Sequence, residues 1–467
     1  MCGKWYFLMA LCLGILLSAC KHDAGGVKYV FYFIGDGMGV NQVTGTEMFL
    51  AERDGRIGAD SLCCSSFPVR NYISTYSAQN AVTCSSAAGT ALACGLKTKN
   101  GSVGISPTGD APLVSIAEKA HEAGIPVGII TSVGMNHATP AAFYAHQPSR
   151  NMYFEIGRDA VNRGFDLCCG ATVLDSRVGR DSADLYTLFE RAGYMIARGL
   201  EAFRQKSNCA SKLLVVQEKD EENFPYAIDR QTGDMTLADV TRGAVDFLQR
   251  RGEGFFLMVE GGAIDFACHV NDGATVFHEI LDFDEAVQVA FDFYRQHPDE
   301  TLIVVTADHE TGGIVLGDGP YKLNLKVLTN QKVSLAELTR KMKQARQETG
   351  NKVSWEVIQT ILKENLGFWE NVALSEEEDE MLEDCYERSF TGKNVKLVES
   401  LYAEDEPLAV LAVKLLNRKA HLSWASGGHS AGAVPVYVLG KGAELFTGHL
   451  DNTDIPKLIS RVAGYGL

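Results

Sequence analysis

The stretch VKYVFYFIGDG at residues 27–37 decides the fold, because a nearly uninterrupted apolar run leads directly into a glycine-rich turn. Continuous apolar runs, unlike alternating ones, are typical of strands that are buried on both faces of a parallel sheet. We therefore predict a buried strand over residues 27–34. Runs of the same kind predict further strands at residues 126–133, 255–259, 301–306 and 434–439.

Helical patterns separate these strands, at residues 113–123, 236–250 and 282–294. Strands that alternate with helices predict an α/β fold, here a three-layer αβα sandwich with a mainly parallel central sheet. Residues 168–233 are predicted to be an irregular interruption of this pattern. Further helical stretches cluster late in the chain, at residues 334–344, 355–365, 375–388 and 406–419. We therefore predict that residues 20–467 form a single α/β domain with a helical insertion at about 317–424.

The N-terminus has the pattern of an export signal. A short first segment precedes an apolar stretch at residues 5–17, which is too short to span a membrane comfortably. The sequence LSAC at residues 17–20 resembles a bacterial lipoprotein cleavage site. Residues 1–19 are therefore predicted to be a lipoprotein signal peptide, with lipid on Cys20 anchoring the exported chain to the bacterial cell envelope, on its periplasmic or surface face. An ordinary secretory signal is the alternative.

Composition and charge exclude several classes of protein. The chain has 467 residues, of which 46% are hydrophobic and 22% charged, so a packed core is expected and general disorder is not. The formal net charge of −16 argues against a nucleic-acid-binding protein, which normally presents a basic face. A negatively charged substrate would need local positive charge from metal ions or from an arginine.

Carboxylates follow three of the predicted strands at their carboxyl ends. Asp36 follows residues 30–34, Glu260 follows 255–259, and Asp308 follows 302–305. Ligands bind outside the carboxyl ends of the strands in open parallel sheets. These three acidic groups are therefore expected to meet at one edge of the sheet.

Imidazoles accompany the carboxylates. Asp265 and His269 are four positions apart, so a helix would place them on one face, where they could bind one ion or form a simple surface pair. His309 follows Asp308 directly, and His429 lies in the glycine-flanked segment SGGHSAG at residues 426–432. Carboxylates mixed with imidazoles suit a site for several zinc ions, or for zinc and magnesium.

Two further residues are candidates for phosphate chemistry. Ser85 begins a segment of small residues, and a helix starting there would direct its N–H groups and its dipole toward a bound phosphate. The alternative is a closely packed helix without a catalytic role. Arg150 could hold two phosphate oxygens at once, although a single arginine is often only a surface residue. A serine beside several cations suggests phosphoryl transfer through a covalent intermediate.

The chain resembles the alkaline phosphatase family over most of residues 28–316 and 424–445. Six motifs in one order carry the resemblance, namely IGDGMG at 34–39, VTCSSAAGTAL at 82–92, HATPAAFYAH at 137–146, VEGGAID at 259–265, TADHETGG at 306–313 and SGGHSAG at 426–432. The resemblance implies hydrolysis of small phosphate monoesters, with Ser85 as the nucleophile and Arg150 as the phosphate-binding residue. It leaves open whether the chain forms a homodimer.

The resemblance also implies the metals and their ligands. One zinc ion would bind Asp265, His269 and His429. The second zinc ion would bind Asp36, Asp308 and His309. A third ion, normally magnesium, would share Asp36 and add Thr139 and Glu260.

Three positions depart from the family pattern. Cys84 stands where aspartate often precedes the nucleophile, which puts the support of Arg150 in question. His137 stands where some members have aspartate, which affects the third metal site. Phe266 stands where well-known members have lysine or histidine, so a cation near the phosphate is missing.

Other functions fit the sequence less well. A sulfatase needs a Cys-x-Pro-x-Arg segment, which residues 84–88 do not match. A phosphodiesterase of the same superfamily typically lacks the third metal site, whose expected ligands are present here. A metal-binding or adhesive lipoprotein that has lost activity is the alternative from a different class, and intact Ser85 and Arg150 argue against it.

The substitution Phe266→Lys tests the consequence of the missing cation. A lysine here would attract phosphate, so the variant is expected to bind inorganic phosphate several-fold more tightly than the natural chain, because opposite charges attract at short range. The inhibition constant of phosphate, measured in both proteins, checks this. Equal constants would refute it.

Overall fold

A computed structural model describes residues 26–177, 179, 183–319, 321–391 and 396–467. Its strands, in chain order, are β1 (Tyr29–Gly35), β2 (Val69–Ser74), β3 (Val127–Thr131), β4 (Leu167–Cys169), β5 (Tyr194–Arg198), β6 (Lys212–Val216), β7 (Phe255–Gly261), β8 (Thr301–Ala307), β9 (Glu310–Thr311), β10 (Ile314–Leu316), β11 (Val398–Glu399), β12 (Glu404–Asp405), β13 (Leu422–Trp424), β14 (His429–Ser430), β15 (Val434–Gly440) and β16 (Leu450–Asp451).

The α-helices lie between and after these strands. In chain order they are α1 (Val40–Arg53), α2 (Ser85–Cys94), α3 (Ile116–Glu122), α4 (Ala138–Ala141), α5 (Tyr153–Arg163), α6 (Leu185–Arg191), α7 (Gly199–Lys206), α8 (Leu237–Gln249), α9 (Ala263–His269), α10 (Gly273–Tyr294), α11 (Leu335–Glu348), α12 (Trp355–Leu366), α13 (Glu376–Tyr386), α14 (Pro407–Lys419) and α15 (Asp454–Ala463).

One ten-stranded sheet organises the molecule, in the order β16-β2-β15-β8-β1-β7-β3-β4-β6-β5. β1 lies between β7 and β8 and pairs with both in parallel, and β15 is antiparallel to its neighbours β8 and β2. The inner strands β3, β7 and β8 are buried along their whole length, as expected for strands covered by helices on both faces. The predicted α/β sandwich with a mainly parallel sheet is confirmed.

The strands predicted from apolar runs are all present, with ends that differ by two residues or fewer. The interpretation of residues 168–233 as irregular was wrong. This segment contains part of β4 and all of β5 and β6, which extend the sheet to its far edge. These strands are short, and β5 is only partly buried, so no long apolar run marks them.

The stretch at about 317–424 contains α11 to α14, close to the predicted helices. Ser375 caps α13 in a capping box with Glu378, which explains the acidic first turn of that helix. The apolar sides of these helices continue the main hydrophobic core. That the stretch is an insertion within one domain stays a prediction.

The predicted signal peptide at residues 1–19 and the lipid site Cys20 lie outside the described residues. Within the described ranges, no helix combines the length and the apolar character needed to cross a bilayer. The nine cysteines found there are all free thiols.

The register of the central strands places the functional residues at one edge. Ile34 pairs with Glu260 of β7 and with Thr306 of β8, so all three strands end at the same level. Asp36 and Asp308 follow within two residues of that level. The expectation that Asp36, Glu260 and Asp308 meet at the carboxyl edge of the sheet follows directly from this parallel pairing.

Asp272 joins the core to the helices of the late segment. Its buried carboxylate accepts hydrogen bonds from the N–H and hydroxyl of Thr275, at 3.2 and 2.6 Å, which caps α10. It also accepts from Gln331 Nε2 and from the N–H of Leu335, both at 2.8 Å. One side chain therefore fixes the start of α10 and the start of α11 together.

The substitution Asp272→Ala is expected to lower the free energy of unfolding by on the order of 3 kcal/mol, because it leaves several buried donors without an acceptor and removes a helix cap. Urea denaturation measures the change. Asp299→Ala is the matched control, since Asp299 is exposed and is expected to change stability by less than about 0.5 kcal/mol. Equal effects of the two substitutions would contradict the role given to Asp272.

Candidate active site

The turn after β1 brings its aspartate into contact with the neighbouring strands. Gly37 has a positive φ of 72°, a conformation that glycine adopts at little cost. Its N–H donates to Asp308 Oδ1 at 3.2 Å. A Cβ at this position would lie 2.8 Å from Asp265 Oδ1 and 3.0 Å from Thr311 Oγ1. The glycine therefore allows the backbone to lie directly against the ligand cluster.

Asp36, Asp308 and His309 form one buried group of possible metal ligands. His309 Nε2 lies 3.3 Å from Asp36 Oδ1 and 3.2 Å from Asp308 Oδ2. The two neighbours Asp308 and His309 lie between β8 and β9, which lets both side chains point to one place. The structure brings together the three residues expected to share an ion.

Asp265, His269 and His429 form a second group. His269 Nε2 lies 3.1 Å from Asp265 Oδ2 on α9, and His429 Nε2 lies 3.3 Å from His269 Nε2. His429 is not in a free loop, because β14 pairs it with Thr311 of β9. The Nδ1 atoms of His269 and His429 are hydrogen-bonded to the carbonyl oxygens of Gly427 and Thr83, which turns both Nε2 atoms inward.

The third group contains Asp36, Glu260 and His137, all buried. Thr139 lies beside it, with its hydroxyl donating to Asp36 Oδ2 at 3.4 Å. The hydroxyl of Thr131 donates to Glu260 and holds that carboxylate in place. His137 thus takes a place in the group at the position where the sequence departs from the family pattern.

The electrostatics of these groups fit cation binding. Glu260 Oε1 and His137 Nδ1 are buried without a hydrogen-bond partner among the described residues. Asp36 Oδ1 and Asp265 Oδ2 are also buried, and each lies near one imidazole nitrogen, at 3.3 and 3.1 Å. Burial raises the pKa of Glu260 to about 7, and Asp265 adds to the shift. Burial, with Asp265 and Glu260, raises the pKa of Asp308 to about 8. Crowded carboxyls of this kind lose their mutual repulsion when divalent cations lie between them.

Asp265 differs from the other carboxyls. Burial alone would raise its pKa, but the hydrogen bond with His269 and the charge of the neighbouring imidazoles hold the pKa well below the usual range. The hydroxyl of Thr311 donates to Asp265 Oδ1 at 2.6 Å and lies 3.1 Å from Nδ1 of His309. Thr311 therefore connects the first two groups.

Ser85 is the first residue of α2, as predicted, and is fully buried. Its Oγ lies 3.2 Å from Nε2 of His309 and accepts a hydrogen bond from Arg150 Nη1 at 3.4 Å. Gly89, one turn along α2, packs against Thr139, where a Cβ would lie 3.2 Å from the Thr139 Cα. The small residues of this segment therefore bring the helix start close to the ligand groups.

Comparison with known proteins decides the family. The sequence profile described as "Alkaline phosphatase" matches residues 27–169 and 173–465. The chain belongs to the alkaline phosphatase family.

Individual alkaline phosphatases are similar to the chain along most of its length. Alkaline phosphatase 4 of Bacillus subtilis is 28% identical over 470 residues, which cover 96% of this chain and 91% of the relative. The crystal structure of a cold-active alkaline phosphatase from Shewanella sp. has a TM-score of 0.78 and 29% identity, covering 93% and 99% of the two chains. The alkaline phosphatase of Thermus thermophilus has the same TM-score with 27% identity, covering 95% and 93%. The protein is thus a phosphatase, a hydrolase of phosphate monoesters with metal sites.

The arginine of this alkaline phosphatase contacts His137, a residue named from the sequence, and Tyr402, which the sequence did not reveal. Arg150 Nη2 donates to the hydroxyl of Tyr402 at 3.0 Å and lies 3.2 Å from Nε2 of His137. Cys84 does not take part in these bonds, since its Sγ contacts the Ser86 hydroxyl and the N–H of Gly101. Tyr402 lies 252 positions from Arg150 and outside every family motif, so no local pattern pointed to it.

Phe266 lies in the same part of the phosphatase site. Its ring stacks on the ring of Tyr402, with centroids 4.2 Å apart, and meets the edge of His137 at 5.7 Å. The side chain is almost fully buried. An apolar ring thus occupies the position where well-known members of the family are expected to have a lysine or a histidine.

The substitution Gly37→Ala is expected to weaken metal binding by about tenfold, because the added Cβ displaces Asp265 from its ligand position. It is also expected to lower the free energy of unfolding by about 1–2 kcal/mol through the unfavourable backbone conformation. Metal content after dialysis against graded chelator, together with urea denaturation, measures both effects.

Gly428→Ala provides the control within the same site. No atom of the described residues would lie within 4 Å of its added Cβ. This variant is expected to keep both its metal content and its stability. If Gly37→Ala also keeps both, the close approach at Gly37 is not required for metal binding or for stability.

Proposed function

We propose that the protein hydrolyses phosphate monoesters through a covalent phosphoserine on Ser85, releasing an alcohol and then inorganic phosphate. One observation carries this proposal. The buried Ser85 hydroxyl lies 3.2 Å from a candidate metal ligand, His309, and 3.4 Å from the guanidinium of Arg150. A nucleophile placed between cation ligands and a bidentate anion-binding group suits attack on a phosphate ester.

The donor sets support two zinc ions and one magnesium ion. Imidazole and carboxylate ligands suit zinc, which would bind to Asp265, His269 and His429 and to Asp36, Asp308 and His309. The oxygen atoms of Asp36, Thr139 and Glu260 suit magnesium, and the added imidazole of His137 makes this third site less selective for it. When bound, these ions lower the pKa of a hydroxyl or a water and neutralise charge on the phosphate.

Arg150, Ser85 and the N-terminus of α2 have different roles in the proposed reaction. Arg150 binds two oxygens of the phosphoryl group and holds the phosphorus in line with Ser85. The Ser85 oxygen forms a bond to phosphorus as the bond to the alcohol oxygen breaks, and the serine proton passes to solvent while the departing alcohol gains one. A water then attacks the phosphoserine, restores the Ser85 hydroxyl and releases inorganic phosphate. The N-terminus of α2 favours the negative charge in both steps.

Export and anchoring form a separate part of the proposal. We propose that residues 1–19 direct the chain out of the cytoplasm and that lipid on Cys20 tethers it to the cell envelope. The motif LSAC at residues 17–20 and the short apolar stretch before it support this. An exported phosphatase would act on esters that have not yet entered the cell.

The substitution Ser85→Ala tests the covalent step. The metal-loaded variant is expected to lose turnover of p-nitrophenyl phosphate at alkaline pH by on the order of 10³-fold or more, because the nucleophile is absent. Labelled phosphate trapped by acid is expected to appear on the natural chain and not on the variant, and the zinc content of the two proteins is expected to be equal.

Ser86→Ala is the matched control, since Ser86 is also buried on α2 but its hydroxyl contacts Cys84. This variant should still form the phosphoenzyme. Chelation of the natural chain should abolish turnover, and zinc with magnesium should restore it. Phosphate that remains trapped on the Ser85→Ala protein would rule out the proposed nucleophile.

A further inference from the structure

A cavity of about 90 Å³ lies next to the arginine of the active site. Phe266, Tyr402 and Tyr153 contribute three aromatic rings to its wall. Phe266 and Tyr402 stack at 4.2 Å, and the His137 ring meets both at 5.7 and 5.6 Å. Since a water occupies about 30 Å³, the space suits a group of roughly three water volumes.

The polar part of the cavity wall is acidic. Asp175 and Glu222 line the cavity and are both solvent-exposed, and none of its lining residues within the described ranges is a lysine or an arginine. Neither carboxylate forms an ion pair within the part of the chain that the structure describes. The negative charge of both carboxylates acts on Tyr153, whose ring lines the cavity. Burial raises the pKa of the Tyr153 hydroxyl, Arg150 opposes the rise, and Glu222 and Asp175 add to it.

The cavity adjoins Arg150, the residue proposed to hold the phosphate. Its wall residues Tyr402 and His137 both contact Nη2 of Arg150, whose Nη1 contacts Ser85. The Tyr402 ring also lies 5.4 Å from the ring of His269, a member of the second ligand group. A phosphate held at Arg150 therefore has the aromatic wall within reach of a short alcohol chain.

We propose that this cavity binds the cationic end of the substrate, so that the enzyme prefers phosphate monoesters of short amino alcohols, such as ethanolamine phosphate and choline phosphate. This preference rests on the proposed phosphomonoesterase function. The positive charge of Arg150 would bind the phosphate. The carboxylates and aromatic rings of the adjacent cavity would bind a positively charged alcohol. Together they match an ester that carries both charges. Ammonium groups bind to aromatic faces and gain further from nearby carboxylates.

The same arrangement disfavours esters whose alcohol carries negative charge. A second phosphate or a carboxylate on the alcohol would face Asp175 and Glu222. The cavity thus makes the enzyme selective for the charge of the alcohol. Arg150 and the metal groups contact the phosphoryl group, which is the same in every substrate.

A pair of isosteric substrates tests the proposal on the full-length, metal-loaded enzyme. Choline phosphate and 3,3-dimethylbutyl phosphate have nearly the same shape, but only the first has a positive charge. The value of kcat/KM is expected to be about tenfold higher for choline phosphate. Equal values for the two esters would overturn the proposal.

Two substitutions test whether the cavity causes the preference for choline phosphate. Glu222→Gln and Asp175→Asn remove charge without changing shape, and Asn also accepts the positive φ of 42° found at Asp175. Each is expected to lower the ratio of the two kcat/KM values several-fold, mainly through KM of choline phosphate. Glu221→Gln is the control, because Glu221 is exposed and does not line the cavity.

The outcomes separate the two proposals. A ratio that stays the same in Glu222→Gln, in Asp175→Asn and in the Glu221→Gln control would refute the subsite. Turnover of p-nitrophenyl phosphate together with equal use of both esters would refute the subsite and leave the proposed function intact. Failure of the metal-loaded enzyme to hydrolyse any of the three esters would overturn the proposed function and the subsite with it.

Discussion

The structure depends on the placement of several carboxylates in one buried region. Asp36, Asp265 and Asp308 are all fully buried at the sheet edge. Their mutual repulsion in a medium of low dielectric constant is tolerable only where cations or imidazoles compensate it. The buried parallel strands β1, β7 and β8 end at the same level and hold these groups together. Cations bound between these groups would therefore stabilise the folded chain.

The parts of the fold and site that could be predicted from the sequence are those with a local signature. A buried central strand appears as an apolar run, and a ligand directly after it lies at a known edge of the sheet, as for Asp36 and Asp308. Asp265 and His269 share a helix face through their spacing alone. The grouping of these residues into separate metal sites came from the resemblance to a family, because spacing does not say which loops meet.

The parts that could not be predicted depend on contacts between distant segments. β5 and β6 lie at the sheet edge, where short strands give weak periodicity. Tyr402 reaches Arg150 across 252 positions, and its importance follows only from the folded arrangement. His429 lies in a glycine-flanked segment that has no strand pattern, whereas its pairing with Thr311 in the folded chain fixes it. Each of these features is set by tertiary structure rather than by local preference.

The contact between Tyr402 and Arg150 joins the late helical segment to the proposed phosphate-binding residue. Segments of a protein open locally at free energies below that of global unfolding. If the segment around Tyr402 loosens on heating, Arg150 loses one of its anchors while the sheet and the metal ligands remain in place. Heat inactivation of this enzyme would then begin before the cooperative melting of its core, and would reverse on cooling.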